Sequence, residues 1–261
     1  MISSSRSVAL LLVLAAAGCT VPAGQQPGAA APVSTAPAPA GKPAEPAFAL
    51  RPYLWAAGIS GNGSADSDDG TGIATDFGGL LDHLDGALLL ASEARLDDAL
   101  ALLGDFVWLS LEGDETGPGG TTVRSDLDVI EAQLALAYRV ARTDGLDVDL
   151  LAGLRVISLE MRLASGAIDA DRRATLPDPL VGLRGNVRLA ADWRLLLYAD
   201  VGGFGVGTDL SYQLAAIVEY AITDRIAVGL GYRQLGLDVD EEHLEFDGTI
   251  GGPLLGFEFR F

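Results

Sequence analysis

Apolar and polar residues alternate with a period of two along the stretch 251–261 (GGPLLGFEFRF). Leu255, Phe257, Phe259 and Phe261 fall on one face, and Leu254, Gly256, Glu258 and Arg260 on the other. That period marks a β-strand, because an amphipathic helix repeats at three and four positions. The same alternation recurs upstream. Leu100, Leu102, Phe106 and Trp108 share a parity, as do Ile130, Ala132, Leu134, Leu136 and Tyr138, and then Val148, Leu150, Ala152, Leu154 and Val156. Further sets are Val181, Leu183, Val187 and Leu189; Leu195, Leu197 and Val201; Tyr212, Leu214, Ala216, Val218 and Tyr220; and Ile226, Val228, Leu230 and Tyr232. With the less regular segments 47–59 and 86–96, the pattern predicts about ten strands, with eight as the alternative count.

The connections predict how these strands are joined. Tight turns at 97–98, 142–145, 190–192 and 223–224 alternate with longer Gly- and Asp-rich stretches at 60–85, 113–121, 164–177, 205–209 and 239–245. Regular exchange of short and long connections implies an all-β fold: a closed, antiparallel, up-and-down transmembrane β-barrel over 47–261, with its short turns at one end and its loops at the other. Within 77–85 the spacing of Phe77, Leu80, Leu81 and Leu84 predicts one or two helical turns over the mouth, packed inward.

Period alone leaves the orientation open, since a soluble barrel turns the same apolar face inward. Aromatic placement decides it. Tyr138, Trp193, Tyr220 and 257–261 gather at the short-turn end of the apolar parity, and Phe106, Trp108, Tyr212 and Tyr232 toward the other. Two aromatic belts around an aliphatic band are expected of a wall that faces lipid. The opposite parity then lines the lumen and carries Glu93, Arg95, Asp105, Glu131, Gln133, Asp149, Arg155, Arg184, Arg188, Asp200, Glu219, Arg233 and Glu258. In so narrow a barrel these charges should meet across the interior as a network of ion pairs, since buried charges need partners. A narrow polar conduit is the alternative use of the same residues. Glu131 to Arg142 (EAQLALAYRVAR) would make a fair isolated helix, and a helical protein is the competing fold.

Composition narrows the function classes. The 261 residues carry 36 acidic against 17 basic side chains and a net charge of −19, which excludes a phosphate-neutralising nucleic-acid binder. One cysteine excludes an internal disulfide or a cysteine-cluster metal site. Residues 1–18 have one basic residue, Arg6, an apolar run and a small-residue exit, which reads as a secretory signal peptide. Residues 19–46, rich in Pro and Ala, read as a disordered tether.

Several short stretches carry resemblances. Ala16-Ala17-Gly18-Cys19 resembles a bacterial lipobox, which implies lipidation at Cys19. The closing strand resembles that of bacterial outer-membrane barrels, whose terminal Phe is read by the barrel-insertion machinery. Together with Pro52-Tyr53-Leu54-Trp55 and the stretch 76–85 (DFGGLLDHLD), it resembles small proteobacterial outer-membrane β-barrel proteins of the OmpA/OmpW size class. The resemblance implies the cell outer membrane, with its lipid and lipopolysaccharide as surroundings, and a monomer with a structural or surface-interaction role. The group offers no established activity to carry over, and the residues themselves lead to an expectation of no cofactor and no catalysis. The other uses of such a barrel are a porin-like channel for small solutes and an omptin-like or lipid-modifying surface enzyme. For the last, His83 between Asp82 and Asp85 is the candidate, since omptins use Asp and His at the outer rim; His243 is the second histidine. Asp66, Asp68 and Asp69 form an acidic loop that lacks the spacing of a Ca²⁺ loop but suits divalent cations bridging to lipid phosphates.

Overall fold

The structure is a computed structural model and describes residues 47–64, 71–116, 122–165, 168–241 and 244–261. The expected signal peptide, Cys19, the tether, Asp66, Asp68, Asp69 and His243 lie outside the described residues. The elements are β1 (Phe48–Trp55), β2 (Gly58–Ser64), β3 (Thr71–Thr75), α1 (Phe77–Asp82), β4 (Leu84–Arg95), β5 (Leu100–Thr116), β6 (Thr122–Arg142), β7 (Leu146–Ser165), β8 (Ile168–Arg188), β9 (Trp193–Gly203), β10 (Leu210–Ala221), β11 (Ile226–Glu241) and β12 (Leu244–Arg260).

Every pairing is antiparallel, in the order β1, β4, β5 and onward to β12, and the sheet closes through β12 on β1. β2 prolongs β1 along the outer part of β12, and β3 hangs on β2. The barrel therefore has ten staves, the first of them split. The split has a local cause at Ala56, whose N–H reaches the Pro253 carbonyl at 2.8 Å. A Cβ on Gly252 would stand 2.0 Å from the Ala56 oxygen, so the bend needs glycine there. Short turns are held by side chains that accept the N–H groups of the next strand. Asp97 Oδ1 takes Ala99 and Leu100, each at 2.7 Å, and the Thr143 and Thr223 hydroxyls take Leu146 and Ile226, each at 3.0 Å.

The apolar parity lies on the outer wall, as the aromatic belts require. Leu134, Leu136, Leu150, Leu154, Leu183, Leu214, Leu230, Leu255 and Phe257 are all exposed, whereas Glu131, Arg155, Arg184, Asp200 and Arg233 on the other parity are buried. Rings mark the short-turn end, with Trp193 5.0 Å from Tyr220 and Phe48 6.0 Å from Phe261.

Three loop expectations are corrected. The described residues of 113–121, 164–177 and 239–245 are strand: β5 runs to Thr116, β7 to Ser165, β8 starts at Ile168, and β11 and β12 reach Glu241 and Leu244. They read as loops because their outer face is polar and two prolines interrupt β8. Above Leu180, however, β8 has no partner on its β9 side, so the missing N–H of Pro177 and Pro179 is tolerated at an edge. Stretch 60–85 holds most of β2, all of β3 and α1, and the start of β4. The helix is shorter than expected and does not pack inward. Asp76 caps its start by accepting the Gly79 N–H at 2.9 Å, no residue of α1 is buried, and Phe77, Leu81 and Leu84 are exposed. The fourth of these residues, Leu84, belongs to β4. An α1 of six residues has too little length to bury a stripe of its own.

Candidate functional site

Inward parity brings residues from distant parts of the chain to one axis. At mid-height Arg155, 0% exposed, donates to both Asp200 oxygens at 2.7 and 2.8 Å and to Gln133 Oε1 at 2.9 Å, with Glu131 at 3.4 Å. Arg233 answers from the facing wall. Its Nη2 donates to Glu131 at 2.8 Å and to Gln213 at 2.9 Å, and its Nη1 to Asp105 at 2.9 Å and to the Tyr53 hydroxyl at 2.6 Å. Tyr53 in turn donates to Asp105 at 2.8 Å, and the Trp55 ring lies 4.7 Å from the Arg233 guanidinium carbon. Each carboxylate is thus held by a guanidinium or hydroxyl.

Nearer the short-turn end a second web forms. Arg184 bridges Asp149 at 2.7 Å and Glu93 at 2.9 Å, and Arg95 adds a bond to Glu93 at 2.8 Å. Arg194 joins Glu219 at 2.6 Å and Glu258 at 3.1 Å, while Arg51 and Arg260 close on Glu258. Of the residues singled out from the sequence, Glu93, Arg95, Asp105, Glu131, Arg155, Arg184, Asp200, Glu219, Arg233 and Glu258 come together in these two webs. Arg188 does not: it is exposed at the short-turn end and donates to the Asp144 carbonyl oxygen at 2.5 Å. Arg51, Tyr53, Arg194 and Gln213 were passed over, although each shares the inward parity of its strand and could have been found by it.

Toward the outer mouth the lining changes character. Ile157, Leu176 and Val239 form a buried apolar cluster, with Leu159, Leu237 and Phe246 packed against it. The β7–β8 hairpin thereby meets β11 and β12 across the opening. Below this, Asp178 accepts the Thr208 N–H and hydroxyl, both at 2.8 Å, which ties down the β9–β10 turn where Phe204 holds a φ of 54° between two left-handed glycines. Here the outer face carries the charges instead. Arg162 lies 3.5 Å from Asp171, Arg173 pairs with Glu160 and holds that carboxyl below the usual range, and Arg124 stands 3.6 Å from Glu112.

On the opposite wall the outer charges are of one sign. Asp238 faces Asp247 directly across the β11–β12 ladder, with Asp209 and Asp240 beside it. Partial desolvation first, and then Asp247, Asp209 and Asp240, raise the Asp238 carboxyl above its ordinary value. A raised folded value means stability that is full below the unfolded value of about 3.9 and is lost as pH rises through the folded one. Asp238→Asn should therefore raise the urea midpoint at pH 7, by about 0.2–0.5 kcal/mol at this exposed site, and the gain should vanish below about pH 4. A gain that persists undiminished in acid would point to a cause other than charge.

No protein-family model matches the chain, and no curated protein sequence matches it. Among solved structures it is similar to the outer membrane protease OmpT from Escherichia coli, with a TM-score of 0.54 and 10% identity over 82% of this chain and 96% of that one. The fold is that of the outer-membrane β-barrels. The translocator domain of the autotransporter NalP from Neisseria meningitidis aligns at a TM-score of 0.49 and 12% identity, over 82% of this chain and 88% of that one. The attachment invasion locus protein Ail of Yersinia pestis aligns at 0.39 and 12%, over 83% and 99%. At such identities the likeness extends to the barrel and not to its chemistry. His83, the one candidate catalytic residue described, ends α1: its N–H serves the Leu80 and Leu81 carbonyls and its ring Nδ1 lies 3.1 Å from the Glu112 carbonyl oxygen. Among the described residues no group of three or more His, Cys, Asp or Glu is placed to hold a metal ion.

Proposed function

We propose that this chain is an integral outer-membrane β-barrel with a sealed lumen, serving a structural or surface-interaction role. The observation that carries this reading is the reversal of facing along the staves. Over the middle of the barrel leucines face out and ion pairs face in; beyond the outer aromatic belt apolar residues face in and charges face out. A wall that passes from hydrocarbon into water needs that exchange, because the apolar side must follow the apolar medium. The interior supports closure twice over, through the guanidinium–carboxylate webs and through the apolar cluster at the mouth.

Export by residues 1–18, lipid attachment at Cys19, a tether over 19–46, insertion through the Phe-ended last strand, and a monomer surrounded by outer-membrane lipid and lipopolysaccharide complete the proposal. The exposed Phe261 at the short-turn end suits contact with insertion machinery. In planar bilayers the purified protein is expected to give no unitary conductance steps. Regular steps would replace the sealed reading with the porin-like one. Heat-modifiable migration and extraction with outer membranes test location: recovery in the soluble periplasmic fraction would refute it.

A further inference from the structure

Between the two ionic webs the lumen is not filled. A cavity of about 150 Å³ lies there, against an inward surface that the sealing of a charged interior does not explain. Leu103, Leu196, Ile217 and Leu254, all on the inward parity, turn apolar side chains into it. Its polar side is made by Tyr53, Tyr198 and Arg233 together with already paired groups of both webs, among them Arg184, Glu219 and Glu258. Arg233 is 3% exposed and its two terminal nitrogens are fully engaged, so it closes this side of the chamber and offers no free donor to it. An empty space in a packed interior is costly, because its lining loses contacts.

We propose that this chamber is a binding site for one small, neutral, largely apolar molecule of benzene size, lying against the four aliphatic side chains. The volume sets the size, since a void of about 150 Å³ with apolar walls takes one molecule of that kind. The surroundings set the charge, because the neighbouring ionic groups already neutralise one another and a further ion would lack a partner. A route exists in the wall itself. The β1–β4 ladder is short, running only from Phe48↔Ala94 to Pro52↔Leu90. Pro52 cannot extend it as a donor. Tyr53, Ala91 and Asp105 of the chamber wall stand beside that seam, and Leu54, 70% exposed, lies on its lipid side. The ligand therefore exchanges with the membrane and not through the closed outer mouth.

The test uses the full chain in lipid nanodiscs, with methyl-labelled Leu and Ile, titrated with p-cresol. The expected result is saturable binding, about millimolar or tighter, with shifts at Leu103, Leu196, Ile217 and Leu254 and none at lipid-facing Leu230. Ala215→Leu, which fills the chamber, should weaken binding by about tenfold or more, while the equal-volume Ala215→Ser should not. Shifts that grow without saturation and equally at Leu230 mean partition into lipid and overturn the proposal. Should Ala215→Leu fail to fold, the pattern of shifts in the unaltered chain decides. The outcome is independent of the conductance experiment, since a chamber closed toward the outside binds whether or not the barrel conducts.

Discussion

Arg155→Met should cost about 3–5 kcal/mol of stability and remove the compact, heat-modifiable form under conditions where the parent chain folds. Arg155 is fully buried and its guanidinium is the shared partner of Asp200, Glu131 and Gln133. Methionine preserves much of the length of the side chain but takes the guanidinium from buried Asp200 and leaves Glu131 to Arg233 alone. The penalty is that of the stranded charge, not the worth of the lost bonds. Adding Asp200→Asn to Arg155→Met should therefore restore most of the loss, since a neutral amide can bond to Gln133 while Glu131 stays paired with Arg233. Urea midpoints in detergent measure both steps. A single substitution that costs less than about 1 kcal/mol would show that water enters this layer freely, which would also weaken the sealed-lumen proposal.

Leu230→Arg carries the second large effect, about 2–4 kcal/mol, and it tests the orientation of the whole wall. Leu230 lies on the outer face, paired with Val218 on one side and Leu255 on the other, within the aliphatic band between the aromatic belts. In lipid an arginine there must bury its charge or pull water toward it. On a water-facing surface the same change would stay within about 0.5 kcal/mol. Refolding into bilayers, followed by urea titration, separates the two. Gln234→Arg, two rungs farther out and beside Thr249 and Gly251 of the outer polar surface, is the control that should be nearly neutral.

At 10% identity the likeness to a protease shows the fold alone. A hydrolase at the barrel rim needs an imidazole aligned with a carboxylate and open to substrate. His83 is exposed, but its ring is turned to the Glu112 backbone carbonyl and its N–H to the end of α1. Its place is explained by the need to end a six-residue helix and enter β4.

What the chain fixes by itself is the alternation. Period two in segments such as 130–138 and 212–220 determines which side chains share a face, because successive residues of a strand must point to opposite sides. The aromatic ends of those segments determine which face meets lipid. The Asp97, Thr143 and Thr223 turns are equally local, each a side chain accepting from N–H groups two or three positions on. Where both faces of a strand leave the band, as in the outer parts of β5, β8 and β11, the local signal inverts and the pattern reads as loop.

Only the tertiary structure decides who meets whom across the lumen. Arg233 finds Tyr53, 180 positions earlier, and Arg155 finds Asp200, 45 positions later, because closure of the barrel places those strands around one axis. The same closure brings Ile157 and Leu176 onto Val239 and leaves the chamber beside Leu196 and Ile217 unfilled. Parity is a property of one strand, whereas partnership depends on stave number and register, which emerge when the last strand pairs with the first.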